Sequence, residues 1–156
     1  MHVFVTFSKV SLPWGFLGNM APYPIEHNGQ VWPTSEALFQ ALRFDDPTIR
    51  EEIRTQKSPM SAKMIAKKHK AKMVVKPMGE RDVANMQYVL KLKFDSHPDI
   101  KAKLLLTGYH TIIEDIGTRN GKRNFYWGMK KVNGNWEGYN MMGNLLMQLR
   151  AIYTVI

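Results

Sequence analysis

Polar side chains at helical spacing, set in an otherwise apolar run, are the feature of residues 31–44 that most constrains the fold. Glu36, Gln40 and Arg43 stand at positions i, i+4 and i+7, so an α-helix would place them along one stripe. Because the residues between them are apolar, such a helix is expected to be largely buried. A buried carboxylate and guanidinium need partners or a lined cleft. The chain must therefore build an internal polar network or a site at this helix.

Size and composition indicate one compact domain. The chain has 156 residues, of which 44% are hydrophobic, which suits one domain with a core and is too few residues for two ordinary ones. A single domain over residues 1–156 is therefore predicted. The sequence has no cysteine, which excludes disulfides and thiolate chemistry. No apolar run of membrane-spanning length and no secretory leader is visible, so a cytoplasmic protein without a membrane partner is expected.

Positive charge is concentrated in one segment of this basic protein. The formal net charge is +9, and residues 57–76 contain seven lysines and no acid. Two interpretations are open: a solvated helix face, or a patch that attracts a phosphorylated or nucleic-acid partner. Charge alone does not decide between them.

Local patterns predict an α+β fold, a predominantly helical single domain with short strands that include an N-terminal β-hairpin. Residues 2–7 form a β-branched and aromatic run typical of a strand. Asn28-Gly29, between two β-prone segments, is a strong hairpin signal. Thr34 or Ser35 can then cap the helix that carries Glu36.

Four or five helices are expected around the strands. Ser58-Pro59 is a typical start for the lysine-rich helix, and Pro98-Asp99 for a short one. Apolar positions repeat at the helical period over residues 83–94 and 142–152, the latter after a possible cap at Asn140. Residues 110–115 and 124–128 are predicted as strands. Strand and helix do not alternate over a long stretch, so a doubly wound parallel sheet is not expected.

Carboxylates in apolar sequence, rather than metal or cofactor motifs, are the candidates for chemistry. No common nucleotide or zinc motif occurs and the five histidines are scattered, so no metal or cofactor is predicted. Glu36, Glu114 and Asp115 suit cleavage of a glycosidic bond, because a carboxylate can stabilise positive charge on the sugar or activate water. Glu114 and Asp115 are adjacent on a predicted strand, so at most one lines a given pocket. Spacing alone leaves open that Glu36 only favours its helix dipole and pairs with Gln40.

Several short motifs follow one another in order along nearly the whole chain. They are Gly15-Phe16-Leu17-Gly18-Asn19, Thr34-Ser35-Glu36 with Gln40-Ala41 and Phe44, Leu106-Thr107-Gly108, Trp127-Gly128, and Gly138-x-Asn140-x-x-Gly143-x-x-Leu146-Met147-x-x-Arg150. In this order and spacing the chain resembles the NADAR superfamily, also called YbiA-like. The resemblance implies an α+β, mostly helical fold and an N-glycosidase activity on ribosyl compounds, without metal or redox cofactor.

The resemblance also implies roles for individual residues. Glu36 would be the catalytic carboxylate, and Arg150 would lock the last helix. The predicted substrate-binding residues, from the resemblance together with the polar stripe, are Gly15, Asn19, Trp32, Gln40, Arg43, Lys76, Asn124, Trp127, Gly128, Asn140 and Gly143.

Some positions depart from the family pattern. Ala37 stands where a histidine usually follows the glutamate, and Gly18 and Met20 replace the serine and phenylalanine that flank the loop asparagine. Asn124 stands where an aspartate is common, and an amide cannot act as a base. If an acid is needed there, Glu114 or Asp115 must substitute.

The predicted function is an N-glycosidase that releases ADP-ribose, with ADP-ribosylated guanine in nucleic acid favoured by the positive segment. The alternatives are an N-glycosidase of phosphoribosylamino-pyrimidine intermediates of riboflavin synthesis and a non-catalytic module for ADP-ribose or NAD. A further alternative is a nucleic-acid-binding domain that acts through Lys63, Lys67 and Lys68 and has no ribosyl pocket. The expected partners are thus an ADP-ribosyl or phosphoribosyl substrate and, on the leading hypothesis, nucleic acid that carries ADP-ribose.

Overall fold

The computed structural model describes residues 3–155, which divide into two compact units. The central unit comprises residues 19–97, and the terminal unit comprises residues 3–18 and 98–155. In this described part of the chain there are seven α-helices and six short strands. The predicted α+β, mostly helical fold is confirmed, whereas the organisation as one domain over residues 1–156 stays a prediction. No helix within residues 3–155 is both long enough and apolar enough to cross a membrane.

The central unit begins with the predicted hairpin. β2 (Ile25–His27) pairs antiparallel with β3 (Gln30–Trp32). The turn residues Asn28 and Gly29 have φ angles of 50° and 78°, and both lie in the left-handed region that a type I′ turn requires. The Asn-Gly pair thus fixes the register of the two strands, and the end of β3 leads directly to the first helix.

Four helices complete the central unit. They are α1 (Ser35–Ala41), α2 (Pro47–Arg54), α3 (Pro59–Lys68) and α4 (Glu80–Ser96). Every residue of α1 is buried, because α1 packs against each of the other three helices. The sequence does not predict α2, although Asp46-Pro47 gives it the same cap-and-proline start that Ser58-Pro59 gives α3.

The helix that carries Glu36 is shorter than the polar stripe predicts. α1 ends at Ala41, so the prediction that Arg43 continues this helix is wrong. The amide of Arg43 donates to the carbonyl of Gln40 at 3.2 Å, which is the tighter pattern of a helix end. The carbonyl of Arg43 accepts from the amide of Val74 at 2.9 Å rather than from a further helical turn. This long-range bond cannot be read from local sequence.

The terminal unit is built around one parallel strand pair. β1 (Phe4–Phe7) pairs with β4 (Thr111–Glu114), which confirms the strand predicted over residues 2–7 from Phe4 onward. Val3 lies before the strand, and His2 lies outside the described residues. α7 (Met141–Thr154) packs on β4, and α5 (Pro98–Leu106) packs on α7. The strand predicted over residues 110–115 and the last two predicted helices are therefore confirmed.

Arg150 ties α7 to the segment that follows α5. Its Nη1 donates to Thr107 Oγ1 and to the carbonyl oxygen of His110, both at 2.8 Å. Thr107 is buried, so Arg150 joins α7 to the interior of the terminal unit. The geometry agrees with the structural role that the resemblance implies for Arg150.

The segment around Trp127 corrects two predictions. Residues 124–128 are not a strand, because α6 (Lys122–Trp127) spans most of them. Three consecutive aromatic residues favour a strand by composition, but their packing against α7 decides the structure. A second hairpin follows, β5 (Lys130–Val132) with β6 (Asn135–Glu137). With α2 and α6, the helices described exceed the four or five expected.

Candidate functional site

Glu36 has a fixed place in the first turn of α1, where 7% of its surface is exposed. The helix begins there because the hydroxyl oxygen of Thr34 accepts a hydrogen bond from the amide of Ala37 at 3.1 Å. The amide of Glu36 itself donates to the carbonyl of Asn19 at 3.3 Å. The backbone that carries the carboxylate is therefore held from both sides.

Gln40 and Arg43 connect Glu36 to a second carboxylate. Gln40 Nε2 donates to Glu36 Oε1 at 2.9 Å, and Gln40 Oε1 accepts from Arg43 Nη1 at 3.3 Å. Arg43 also donates through Nε and Nη2 to the two carboxylate oxygens of Asp82, at 2.9 and 2.8 Å. Because the carbonyl oxygen of Gln40 accepts from Arg43, its NH₂ group must face Glu36.

This Glu36 network, formed by Glu36, Gln40, Arg43 and Asp82, leaves one negative charge on Glu36. Arg43 and Asp82 form a buried bidentate ion pair that is neutral as a whole. Gln40 holds one oxygen of Glu36, and the other has no hydrogen-bond partner within residues 3–155. Such an oriented carboxylate is suited to a reaction in which positive charge develops.

Asp82 is the member of the network that sequence reasoning missed. It is fully buried in the first turn of α4, and its Oδ2 also accepts from the amide of Met78 at 2.8 Å. A signal was available, because Asp82 stands one helical turn before Met86, on the face predicted to be apolar. An acid on such a face needs a buried partner, which here is Arg43.

Asn19 and Trp32 are both predicted as binding residues. Both ends of the Asn19 amide have partners within the protein, whereas the indole N–H of Trp32 has none within the described residues. Asn19 Oδ1 accepts from Ser35 Oγ at 2.7 Å and Nδ2 lies 2.9 Å from Met86 Sδ, so its amide holds the loop against α1 and α4. Trp32 is 2% exposed, and its Nε1 is the one buried side-chain polar atom within residues 3–155 that lacks a partner. A buried N–H of this kind calls for an acceptor, such as a ligand oxygen or an ordered water.

Lys76 lies in the loop before α4. Its side chain is exposed, and its carbonyl accepts from the amide of Gly79 at 3.1 Å. The same loop contains Met78, whose amide donates a hydrogen bond to the carboxylate of Asp82. The position of Lys76 is thus linked through Asp82 to Arg43, although its ammonium has no acidic partner in the part of the chain that the structure describes.

Lys93 is a buried amine that sequence reasoning did not single out. It lies two turns after Met86 on the buried face of α4, and burial lowers its pKa to about 7. Its Nζ lies 5.7 Å from the centre of the Tyr23 ring and 5.3 Å from that of Phe94. Burial explains the direction of the pKa shift, since removal from water disfavours the charged form.

Asn140 organises a second group of predicted residues, in the terminal unit. Its Nδ2 donates to the carbonyl oxygen of Ile112 at 2.8 Å, and its Oδ1 accepts from the amide of Glu114 at 3.1 Å. Asn140 does take the N-cap position of α7, but its side chain makes no capping bond. The prediction that it caps the last helix is therefore right for the position and wrong for the side chain, which extends the edge of β4.

Glycines allow close backbone approach around this group. A Cβ at Gly143 would lie 2.5 Å from Asn140 Nδ2, and one at Gly128 would lie 2.6 Å from the carbonyl oxygen of Glu114. Elsewhere in the terminal unit, a Cβ at Gly15 would collide with the carbonyl oxygen of Val10. Backbone packing accounts for all three glycines predicted as binding residues.

The side chains of Glu114 and Asp115 contact different parts of the terminal unit. The carboxylate of Glu114, at the end of β4, lies against Gly128, since a Cβ at Gly128 would be 3.0 Å from Glu114 Oε2. Asp115 Oδ1 accepts from the amide of Gly117 at 2.9 Å and so stabilises a turn. Of the two acids, Glu114 is the one that lies beside other predicted site residues.

Asn124 and Trp127 belong to α6. Asn124 Nδ2 donates to the carbonyl oxygen of Asn120 at 2.7 Å. Trp127 is buried, and its ring meets that of Tyr126 edge to face, with centroids 5.2 Å apart. Within the terminal unit the structure thus groups Glu114, Gly128, Asn140 and Gly143, while the central unit groups Glu36, Gln40 and Arg43; the functional roles of all of them stay predictions.

Comparison with known proteins identifies the family. The NADAR domain model matches residues 4–153, so the chain belongs to the NADAR domain family, as its motifs suggest. N-glycosidase YbiA from Shigella boydii serotype 4 (strain Sb227) is 36% identical over 146 residues, covering 94% of this chain and 86% of that protein. An NMR structure of YbiA from Escherichia coli matches with a TM-score of 0.79 and 33% identity, over 99% of this chain and 89% of that one.

A relative from a plant has a name that refers to riboflavin biosynthesis rather than to an N-glycosidase. The chloroplastic riboflavin biosynthesis protein PYRR of Zea mays is 30% identical over 161 residues, a match that covers 94% of this chain but 25% of that protein. The YbiA relatives are named N-glycosidases, which confirms the predicted class of enzyme, a hydrolase acting on N-glycosyl bonds.

Proposed function

We propose that the chain is an N-glycosidase that releases ADP-ribose from guanine in nucleic acid, with Glu36 as the catalytic carboxylate. The Glu36 network is the observation that carries this proposal. Gln40 orients one oxygen of Glu36 at 2.9 Å, and Glu36 has no cationic partner within residues 3–155, because Arg43 is paired with Asp82. An oriented anion of this kind stabilises a sugar that becomes oxocarbenium-like.

The proposed reaction is hydrolysis of the N-glycosidic bond. The bond between the anomeric carbon and the guanine nitrogen breaks, and its electron pair leaves with the base. Glu36 stabilises the resulting cation and accepts a proton from the water that attacks the anomeric carbon. That proton replaces the sugar on the leaving nitrogen, so the products are free ADP-ribose and unmodified guanine.

The lysine-rich segment supports nucleic acid as the carrier of the substrate. It lies in the central unit, as does Glu36. Lys67, Lys70 and Lys72 are exposed, and none has an acidic partner within the described residues. Unpaired surface cations attract phosphates at a distance, and an ADP-ribosylated nucleic acid presents phosphates on both the modification and the strand.

Phosphoribosylamino-pyrimidines are the second candidate substrates. The name of the maize relative, a riboflavin biosynthesis protein, favours them. They are also N-glycosides of a phosphorylated ribose, so Glu36 could act on them by the same steps. A non-catalytic ADP-ribose module is the remaining alternative, because Asn124 stands where the family often has an acid.

The test compares Glu36→Gln with the unmodified protein on ADP-ribosylated DNA, by chromatography of released ADP-ribose. Glutamine keeps an oxygen for Gln40 but removes the charge, so release should slow by about 100-fold or more, as for loss of an acid–base group. Glu26→Gln is the matched control, since Glu26 is an exposed carboxylate on β2 of the same unit. Equal release by the Glu36→Gln variant and the unmodified protein would refute the role of Glu36.

The release assay, together with calorimetry, separates the alternatives. Release from the phosphoribosylamino-pyrimidine with no release from ADP-ribosylated DNA would replace the proposed substrate by the second candidate. A reader module would bind ADP-ribose in calorimetry with a defined stoichiometry and leave every glycosidic bond intact.

A further inference from the structure

The terminal unit contains a second cationic segment, and this one also carries aromatic residues. Residues 116–136 include five Lys or Arg residues and no acid. Two of the cations hold local structure: Lys130 Nζ donates to Asn120 Oδ1 at 2.6 Å, and Arg119 Nε donates to the carbonyl oxygen of Ile116 at 3.0 Å. Lys122 and Arg123 are exposed and have no such partner within residues 3–155.

Two tyrosines stack next to these cations. The ring centroids of Tyr126 and Tyr139 are 5.7 Å apart, and the ring planes make an angle of 29°. Tyr139 is 71% exposed, so the face of its ring that is turned away from Tyr126 is open to solvent. A large exposed aromatic surface of this kind is available to a planar ligand.

The backbone that carries Tyr139 is fixed, although its ring is exposed. Its amide donates to the carbonyl oxygen of Phe125 at 2.7 Å, and its carbonyl accepts from Asn144 Nδ2 at 3.1 Å. The preceding Gly138 has a φ of 132°, and a Cβ there would lie 2.5 Å from the carbonyl oxygen of Gly128. A ring on such a backbone loses little further freedom when a ligand stacks on it, which favours binding.

The cations lie on the same side of α6 as Tyr126. Lys122 and Arg123 precede Tyr126 by four and three residues, so their side chains are neighbours of its ring on the helix surface. An aromatic face beside cations matches a nucleobase with its flanking phosphates. Bases in a duplex are stacked on each other and cannot reach the ring of Tyr139, so an unpaired base is required.

We propose that Tyr139, backed by Tyr126 and flanked by Lys122 and Arg123, is a stacking site for an unpaired base of single-stranded nucleic acid. This binding needs no cleavable bond and is therefore independent of the proposed hydrolysis. The shared chemistry of DNA and RNA strands, a base next to phosphates, suffices for the site.

Fluorescence anisotropy with labelled, unmodified single-stranded oligonucleotides tests the site, in one arm with DNA and in one with RNA. Tyr139→Ala should raise the Kd for the oligonucleotide about tenfold, as expected for the loss of one stacked base. Tyr139→Phe keeps the ring and should keep the Kd. Tyr109→Ala is the matched control, because Tyr109 is a fully exposed tyrosine of the same unit, outside the stacked pair.

Charge and strand preference give a second readout. The double variant Lys122→Ala with Arg123→Ala should weaken binding and flatten the salt dependence of log K by about 0.7 for each phosphate that these cations no longer neutralise. Tight binding in either arm that depends on Tyr139 supports the site. A Tyr139→Ala variant that binds as well as the unmodified protein, a Tyr139→Phe variant as weak as Tyr139→Ala, or equal affinity for a duplex would overturn it.

Discussion

Single side chains decide which polar groups of this protein stay available to a ligand. Both ends of the Asn140 amide are occupied by the backbone of β4, and both ends of the Asn19 amide are occupied by Ser35 and Met86. The side chain of Asn140 therefore holds backbone, and that of Asn19 holds its loop against α1 and α4. Glu36 keeps one oxygen without a partner in the described residues, and Trp32 keeps its N–H. The groups suited to contact substrate in the central unit are thus fewer than the motifs suggest.

Gly143→Ala tests the close approach of α7 to β4. The added methyl would lie 2.5 Å from Asn140 Nδ2 and nearer still to the carbonyl oxygen of Ile112, so the helix must move. We expect the free energy of unfolding to fall by about 2–3 kcal/mol, as for overpacked sites, in urea titrations. Gly18→Ala is the control: its φ is −81° and an added Cβ would have no neighbour nearer than 3.5 Å. Equal stability of the two variants would contradict this account.

At the scale of elements, α4 organises the central unit through one buried face. Three side chains on that face make the contacts. Asp82 binds Arg43, and Met86 contacts Asn19. Lys93, further along, lies over the ring of Tyr23. The carboxylate, the thioether and the amine on this face thus each contact a different segment of the chain. Changes in α4 should therefore spread to the loop before α1 and to the turn after it.

The buried amine of Lys93 makes stability depend on pH. Its pKa is about 7 in the folded protein and near 10.5 in the unfolded chain, so the unfolded state binds more protons between these values. Stability should therefore rise with pH across that window, by more than ~1 kcal/mol for each pH unit if Lys93 acts alone. Below about pH 7 the amine is charged in both states, and the cost of its burial is present in full.

Lys93→Met measures this contribution. The difference in unfolding free energy between the variant and the unmodified protein, from urea titrations, should be largest near pH 6 and shrink toward about pH 9. Lys91→Met is the control, since Lys91 is an exposed lysine on the same helix, paired with Asp95 at 2.6 Å. A difference that stays constant over this range would show that the pKa of Lys93 is not lowered.

Elements with local signals could be predicted, and those decided by distant packing could not. Thr34, Ser58 and the Asn28-Gly29 turn act through neighbours a few residues away, so their helices and hairpin are found from sequence. α6 has strand-like composition and is helical because of its packing on α7. In the candidate site, the Glu36–Gln40 contact follows from helical spacing, whereas Asp82 meets Arg43 only through the tertiary fold.

At the scale of the whole molecule, positive charge follows the chain in blocks. Residues 57–76 and residues 116–136 are both free of acids and together hold twelve of the 22 Lys and Arg residues. One block lies in each unit. Association with a polyanion should therefore be fast at low salt and strongly weakened as salt rises.

The first block can be tested through substrate affinity. On the proposed function, Lys67→Ala with Lys72→Ala should raise KM for an ADP-ribosylated oligonucleotide at low salt and leave kcat unchanged, because these exposed lysines would attract the strand without touching the reacting bond. At high salt the difference should disappear. Lys91→Ala, which removes a lysine already paired with Asp95, should change KM little. A lower kcat with unchanged KM would contradict this assignment.

The hydrogen bond between Asp82 and the amide of Met78 has an evolutionary consequence. Met78 has a φ of 65°, a conformation that glycine and asparagine adopt more readily than methionine. The loop requires an amide in this orientation rather than a thioether, so residues that adopt this conformation readily, such as glycine and asparagine, can replace Met78. Position 82 has no such latitude, because the carboxylate there serves the loop and Arg43 at once. Divergence among related chains should therefore accumulate at residue 78 and spare residue 82.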